Sequence, residues 1–173
     1  MPTRLLDVSC ESNIRLVTMA PVADSEPYIT LSHQWGTAIF KKLTSGTVAE
    51  MEQSILIEKL PKTFLDAIAV TRRLKCRYLW IDSLCIIQDS WDDWEKEAGL
   101  MSKVYQNGLC NIAATGALDN SDGLYIDRQN SDYMPFDADQ WTDGVTLMPL
   151  TQRAWSYKNN FFLARRVIHF SRK

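Results

Sequence analysis

Two short stretches hold the residue types that could carry chemistry. The first is Ser32-His33-Gln34-Trp35-Gly36, which sets a hydroxyl, an imidazole, an indole and a glycine within five positions. A Trp and a His beside a glycine turn can stack on a nucleobase or nicotinamide ring, and Gly36 lets the backbone come close to a phosphate. The same residues also fit a packed Trp followed by a plain turn. The second stretch is Asp82-Ser83, which ends the apolar run Tyr78-Leu79-Trp80-Ile81. Asp82 can orient a ribose hydroxyl or act as a general base, or it can cap the following turn with its own side chain. Ser83 divides between the same two roles.

Glu97, one helical turn beyond Asp93, is a further carboxylate that can enter a pocket. Energetics favour a solvated helix face for it, because an unpaired carboxylate in an apolar stripe is costly. Cys85 with His33 invites a Cys–His nucleophile. Its neighbours Leu84, Ile86 and Ile87 argue against this, since apolar surroundings raise a thiol's pKa. Arg128 and Arg153 can meet a phosphate or simply face solvent. There is no Walker-type loop and no G-x-G-x-x-G, so NTP hydrolysis and ordinary dehydrogenase chemistry lack support. The four cysteines form no C-x-x-C pair and neither histidine lies near one, so no metal site is expected.

These residues need elements to position them. Tyr28–Ser32 is β-rich and alternating, and predicts a strand after a polar loop at Pro21–Pro27. Residues 47–58 mix Met, Ile, Leu and Glu and predict a short helix. Pro61 opens a clearer helix that runs to about Lys75, with Phe64, Ile68 and Thr71 at helical spacing. Arg77–Asp82 then predicts a strand buried on both faces, as in a parallel sheet. Ser83–Ser90 predicts a loop with an apolar middle. Ser90, Asp92 and Asp93 mark a helix start, with Trp94, Ala98, Met101 and Tyr105 as its expected buried stripe. Leu109–Ala114 predicts a third strand and Arg166–Phe170 a fourth. Between them lie a polar loop insertion near 116–150 and a helix opened by Arg153-Ala154-Trp155.

The order β-α-β-α-β-loop-α-β predicts an α/β fold with a mostly parallel sheet flanked by helices. Ligands in such folds bind outside the carboxyl ends of the strands, where Ser32–Gly36 and Asp82–Ser83 fall. The chain has 173 residues and a formal charge of −2, with 46% hydrophobic residues, which fits one globular domain over 1–173. That charge argues against a nucleic-acid surface. No apolar run approaches the ~20 residues that span a bilayer, and no secretory leader opens the chain, so a cytoplasmic protein with reduced thiols is expected.

Several stretches together resemble the fungal heterokaryon-incompatibility (HET) domain. They are Tyr28-Ile-Thr-Leu-Ser-His-Gln-Trp-Gly36, Leu60-Pro-Lys-Thr-Phe-Leu-Asp-Ala-Ile68, Arg77-Tyr-Leu-Trp-Ile-Asp-Ser-Leu-Cys-Ile-Ile-Gln-Asp89, and Trp94-Glu-Lys-Glu97 with Met101, Val104 and Tyr105. Cys110-Asn-Ile-Ala-Ala114, Gly123-Leu124 and Arg128 follow the same pattern. The resemblance implies an effector of programmed cell death in non-self recognition, and a TIR-like or flavodoxin-like fold. Some TIR domains cleave NAD at the nicotinamide glycosidic bond, with an essential Glu four positions after a Trp. The resemblance therefore implies NAD as ligand or substrate, no required cofactor, and a site that includes Trp155. The chain departs from the pattern at Asn159, where that Glu would stand, and no carboxylate lies between Trp155 and Arg166. Gln34 also replaces the family's usual Cys. Asn carries no charge to stabilise an oxocarbenium-like transition state, so a disabled copy or service by Asp82 or Glu97 is expected.

A second reading from another class is a self-associating signalling module with no chemistry, as a homo-oligomer or with a receptor-type partner. Leu84, Ile86 and Ile87 would then form the contact surface, provided they are exposed.

Overall fold

The computed structural model describes residues 2–19, 26–37, 39–114, 117, 119–125 and, for the backbone alone, 167–169. The predicted loop insertion beyond residue 125 and the Trp155 helix lie outside them. The described residues form an α/β fold around a seven-stranded sheet. In chain order the elements are β1 (Arg4–Asp7), β2 (Asn13–Thr18), β3 (Tyr28–Ser32), α1 (Val48–Gln53), β4 (Ile55–Leu56), a 3-10 turn (Ile57–Lys59), α2 (Lys62–Arg73), β5 (Tyr78–Ile81), α3 (Asp82–Cys85), α4 (Trp91–Asn107), β6 (Cys110–Ala113) and β7 (Val167–His169).

The spatial order is β4-β2-β1-β5-β3-β6-β7. β5, β3, β6 and β7 run parallel. β1 joins β5 antiparallel, and β2 and β4 continue that half antiparallel. The sheet is therefore mixed, which corrects the mostly parallel expectation. The correction comes from residues 4–18, whose strands lack a signal of their own. β1 is four residues long and begins and ends on a charge, Arg4 and Asp7, yet all four residues are buried. Arg4 satisfies its guanidinium on the Cys85 carbonyl and the Asp93 carboxylate. Asp7 accepts from Arg77 at 2.9 Å and from the Ser9 hydroxyl at 2.6 Å. A charged residue can occupy a central strand only with such partners, and those come from distant parts of the chain.

The parallel half fits its expected boundaries, with β5 and β6 each a fully buried apolar strand. α2 covers one face of the sheet and α4 the other. Phe64 of α2 packs edge-on against His33, with ring centroids 5.0 Å apart. The Tyr28 hydroxyl donates to the Val104 carbonyl of α4 at 2.8 Å, and Trp80 meets Tyr105 edge-on at 5.6 Å. Strand alternation then places Ile29, Leu31, His33, Leu79 and Ile81 towards α2. Tyr28, Thr30, Ser32 and Trp80 point towards α4. Opposite faces are what right-handed crossovers demand, since β3 to β5 and β5 to β6 move in opposite directions along the sheet.

α4 is capped as expected, the Ser90 hydroxyl accepting from the Asp93 backbone N–H. Its buried stripe differs from expectation. Glu97, Met101 and Val104 face the core, while Trp94 is exposed and stacks on Trp91 at 5.1 Å. The 83–90 segment also differs. It begins as the short helix α3, and Leu84, Cys85 and Ile86 are buried. The Leu43 N–H donates to the Ser83 carbonyl and the Gln88 N–H to the Leu43 carbonyl, which pins the segment to the loop before α1. Leu84 and Ile86 therefore offer no exposed contact surface.

Candidate functional site at the carboxyl ends of β3 and β5

β3 and β5 pair with Leu31 level with Ile81. Their next residues, Ser32 and Asp82, therefore arrive together at the carboxyl edge. From this edge the chain after β3 leads towards α2 on one face, and the chain after β5 leads towards α4 on the other. Ligands in open α/β sheets bind outside the carboxyl ends of the strands, which is the edge where these two stretches fall.

Three side chains singled out in the sequence converge there. The Trp35 indole N–H donates to both Asp82 oxygens, each at 3.3 Å. His33 Nε2 stands 3.8 Å from Asp82 Oδ1, with its ring buried against Phe64. The Ser83 N–H donates to Asp82 Oδ1 at 2.7 Å. Asp82 thus holds the start of its own turn and also anchors the indole. Lys42 Nζ lies 4.3 Å above the Trp35 ring, adding a cation beside the aromatic face.

Gly36 has φ of +60°, a left-handed conformation that favours glycine. A side chain there would collide with the Asp119 side chain and backbone. The 119–125 segment is held beside Gly36 by hydrogen bonds to α2. The Thr63 N–H donates to the Asn120 carbonyl at 3.0 Å, and the Leu124 N–H donates to Asp66 Oδ2 at 2.9 Å. The Asn120 amide donates to the Trp35 carbonyl at 3.3 Å. Gly123, at φ +87°, leaves room for Asp66 and Lys62, because a Cβ there would stand 2.6 Å from Asp66 Oδ2.

Ser32 belongs to a different layer of the site. Its hydroxyl turns to the α4 face and donates to Asn111 Oδ1 at 3.2 Å, alongside Thr30 at 3.0 Å. Asn111 and Asn120 were not singled out from the sequence. Asn111 carried a signal nonetheless, as a polar residue inside the apolar strand Cys110–Ala113. Asn120 carried none, because its role depends on where its loop docks.

Glu97 is 1% exposed, which overturns the solvated-face expectation. It lies on α4 rather than among the Trp35–Asp82 contacts. Cys85 is wholly enclosed, and burial pushes its thiol up to about 12, so it is no nucleophile near neutral pH. Trp155 and Asn159 lie outside the described residues. Among the described residues no group of His, Cys, Asp or Glu is arranged to hold a metal ion, and no helix is long and apolar enough to cross a membrane.

Comparison with known proteins matches residues 28–162 to the family model described as heterokaryon incompatibility protein (HET). No curated protein and no solved structure matches the chain. The family match opens at the first residue of β3, spans the Ser32–Gly36 and Asp82–Ser83 stretches, and covers well over half the chain. The chain accordingly belongs to the heterokaryon-incompatibility family, and its role is in fungal heterokaryon incompatibility and the cell death that accompanies it.

Proposed function

We propose that this HET domain is a cell-death effector that binds a nucleotide, with NAD as the foremost candidate, in the crevice between the carboxyl ends of β3 and β5. The observation that carries the reading is the meeting of Trp35, His33 and Asp82 at the carboxyl edge of β3 and β5. A partly open indole offers a face for a nicotinamide or adenine ring. Asp82, half-buried and held by two N–H donors, can accept hydroxyls from a sugar. Lys42 supplies a positive charge next to them for a pyrophosphate.

Turnover is a separate step. Hydrolysis of NAD gives nicotinamide and ADP-ribose from one water, and its transition state needs a carboxylate facing the ribose. Asn159 cannot serve. The reading therefore holds that the domain binds NAD and turns it over slowly, and that Asn159→Glu raises the rate.

Calorimetric titration with NAD tests the binding. Saturable heat in the wild type, weakened about tenfold or more by Trp35→Ala and by Asp82→Asn, is the expected result. Equal heats in all three proteins, or none in any, would sink it. Nicotinamide release by wild type and Asn159→Glu then tests the chemistry.

A second reading is an assembly module without chemistry. It draws on the stacked Trp91 and Trp94, 71% and 42% exposed at the start of α4. Mass that rises with concentration and falls back in Trp91→Ala would favour it.

A further inference from the structure

The two edges of the sheet carry exposed faces that the crevice does not use. At the carboxyl edge, α4 opens with Trp91 and Trp94, both exposed and stacked with ring centroids 5.1 Å apart. Asp92 and Glu95 are exposed beside them. Asp93 fixes this end of the helix by binding Arg4 of β1 and accepting from the Ile87 N–H at 2.8 Å. Residues 89–97 carry five carboxylates and a single lysine, Lys96. Indoles held open to water add nothing to the core, and Trp is prominent among the residues that carry binding energy between proteins.

At the amino edge, α2 runs out into Arg72-Arg73-Leu74-Lys75, with Arg77 two positions on. Residues 72–77 thus hold four cations and no carboxylate. Leu74 is 45% exposed, and Arg73 and Lys75 on either side of it are exposed as well. The Cys76 thiol donates to the Pro27 carbonyl, just before β3, which places this turn at the start of the strands. Arg72 is engaged by the Val8 and Cys10 carbonyls, and Arg77 by Asp7 with Glu26 nearby. Among the described residues, Arg73, Lys75, Asp92 and Glu95 take part in no ion pair.

These faces lie at opposite ends of the molecule. α4 reaches the amino edge where the Val104 carbonyl accepts from Tyr28, and Trp91 stands ~20 Å back along the helix from there. One chain cannot bring them together, but a second copy can. One face is apolar with a negative rim and the other apolar with a positive rim, and Arg and Lys also stack on indole rings. A two-fold contact of the Trp face with itself would instead set Asp92 and Glu95 against their own copies. We infer that this chain assembles head to tail, with Trp91, Trp94, Asp92 and Glu95 of one copy seated on Arg73, Leu74 and Lys75 of the next. The inference rests on the assembly reading above and names its surfaces and its partner. Such a contact leaves one face free at each end, so growth continues past the dimer into a chain or a ring.

Analytical ultracentrifugation of the full chain over a range of concentrations tests it. Wild-type mass should rise past the dimer. The half-assembly concentration should rise severalfold between ~0.05 and ~0.5 M salt, because exposed charges are screened. Trp91→Ala and Leu74→Glu should each raise it at least tenfold. Circular dichroism checks that both variants are folded, and Lys75→Gln replaces Leu74→Glu if that variant is not. An equimolar mixture of the two variants is the decisive arm. Each supplies the face the other lacks, so the mixture should form a dimer of unlike variants and stop there. Wild-type mass that stops at the dimer, or folded variants that stay monomeric when mixed, would overturn the head-to-tail contact and leave the assembly reading standing. Assembly unchanged in both variants would do the same. A wild type that is monomeric at every concentration overturns both.

Discussion

At the residue scale, the two charged residues of β1, Arg4 and Asp7, are explained by named partners. Burial alone would raise the pKa of Asp7. The Arg77 guanidinium and the Ser9 hydroxyl and N–H outweigh it and hold the carboxyl at about 2. A lowered folded-state pKa stabilises the fold in full above the ordinary carboxylate range and loses that contribution as pH falls through about 2. Asp7→Asn should therefore cost about 1–3 kcal/mol at pH 7. The gap from wild type should narrow steadily from about pH 4 downwards, as read by urea melts across the series. The cysteines make a second residue-level case. Cys10 is exposed, and its bond with the Ser12 hydroxyl draws its pKa down, whereas Cys76, Cys85 and Cys110 are buried. A thiol reagent on native protein should label Cys10 quickly and the other three only after denaturation, as mass spectrometry would show.

At the scale of elements, the crevice depends on turns as much as on strands. Gly36→Ala combines a left-handed backbone with a collision against Asp119. It should displace the 119–125 segment from Trp35 and weaken NAD at least tenfold, with a smaller effect on melting temperature, because the sheet core lies elsewhere. An unaltered NAD affinity in this variant would show that the segment is no part of the site. Ser90→Ala removes the hydroxyl that accepts from the Asp93 N–H and should cost about 1 kcal/mol in denaturant melts.

For the whole molecule, the family match begins at β3, yet β1 sits in the middle of the sheet between β2 and β5. Leu5, Leu6, Val8, Ile14 and Leu16 are all essentially buried. Each such side chain contributes ~1.5–3 kcal/mol, so together they rival the ~5–15 kcal/mol net stability of a domain. Removing residues 2–19 would also bare the edge of β5. A chain beginning at Pro27 should therefore be insoluble or show no cooperative melt, although it retains every residue of the family match.

What could be read directly from the sequence was what local chemistry controls. Period-2 and helical patterning located β3, β5, β6 and α2, and a Ser with acidic neighbours located the start of α4. The same stretches exposed Ser32–Gly36 and Asp82–Ser83, because polar residues at the ends of apolar strands stand out without any knowledge of the fold. Tertiary structure alone decided the rest. β1 and β2 are short and partly charged, and they become strands only because Arg77, Cys85 and Asp93 satisfy Asp7 and Arg4 from more than 60 positions away. Leu84 and Ile86 could serve as a contact surface only if exposed, and the fold places them inside. Glu97 shows the limit most plainly. A carboxylate on a helix is solvated by default, and only the packing of α4 against Trp80 and Tyr28 reveals that this one is enclosed. Burial and partnership are properties of distance in space, and spacing along the chain carries that distance only within a single element.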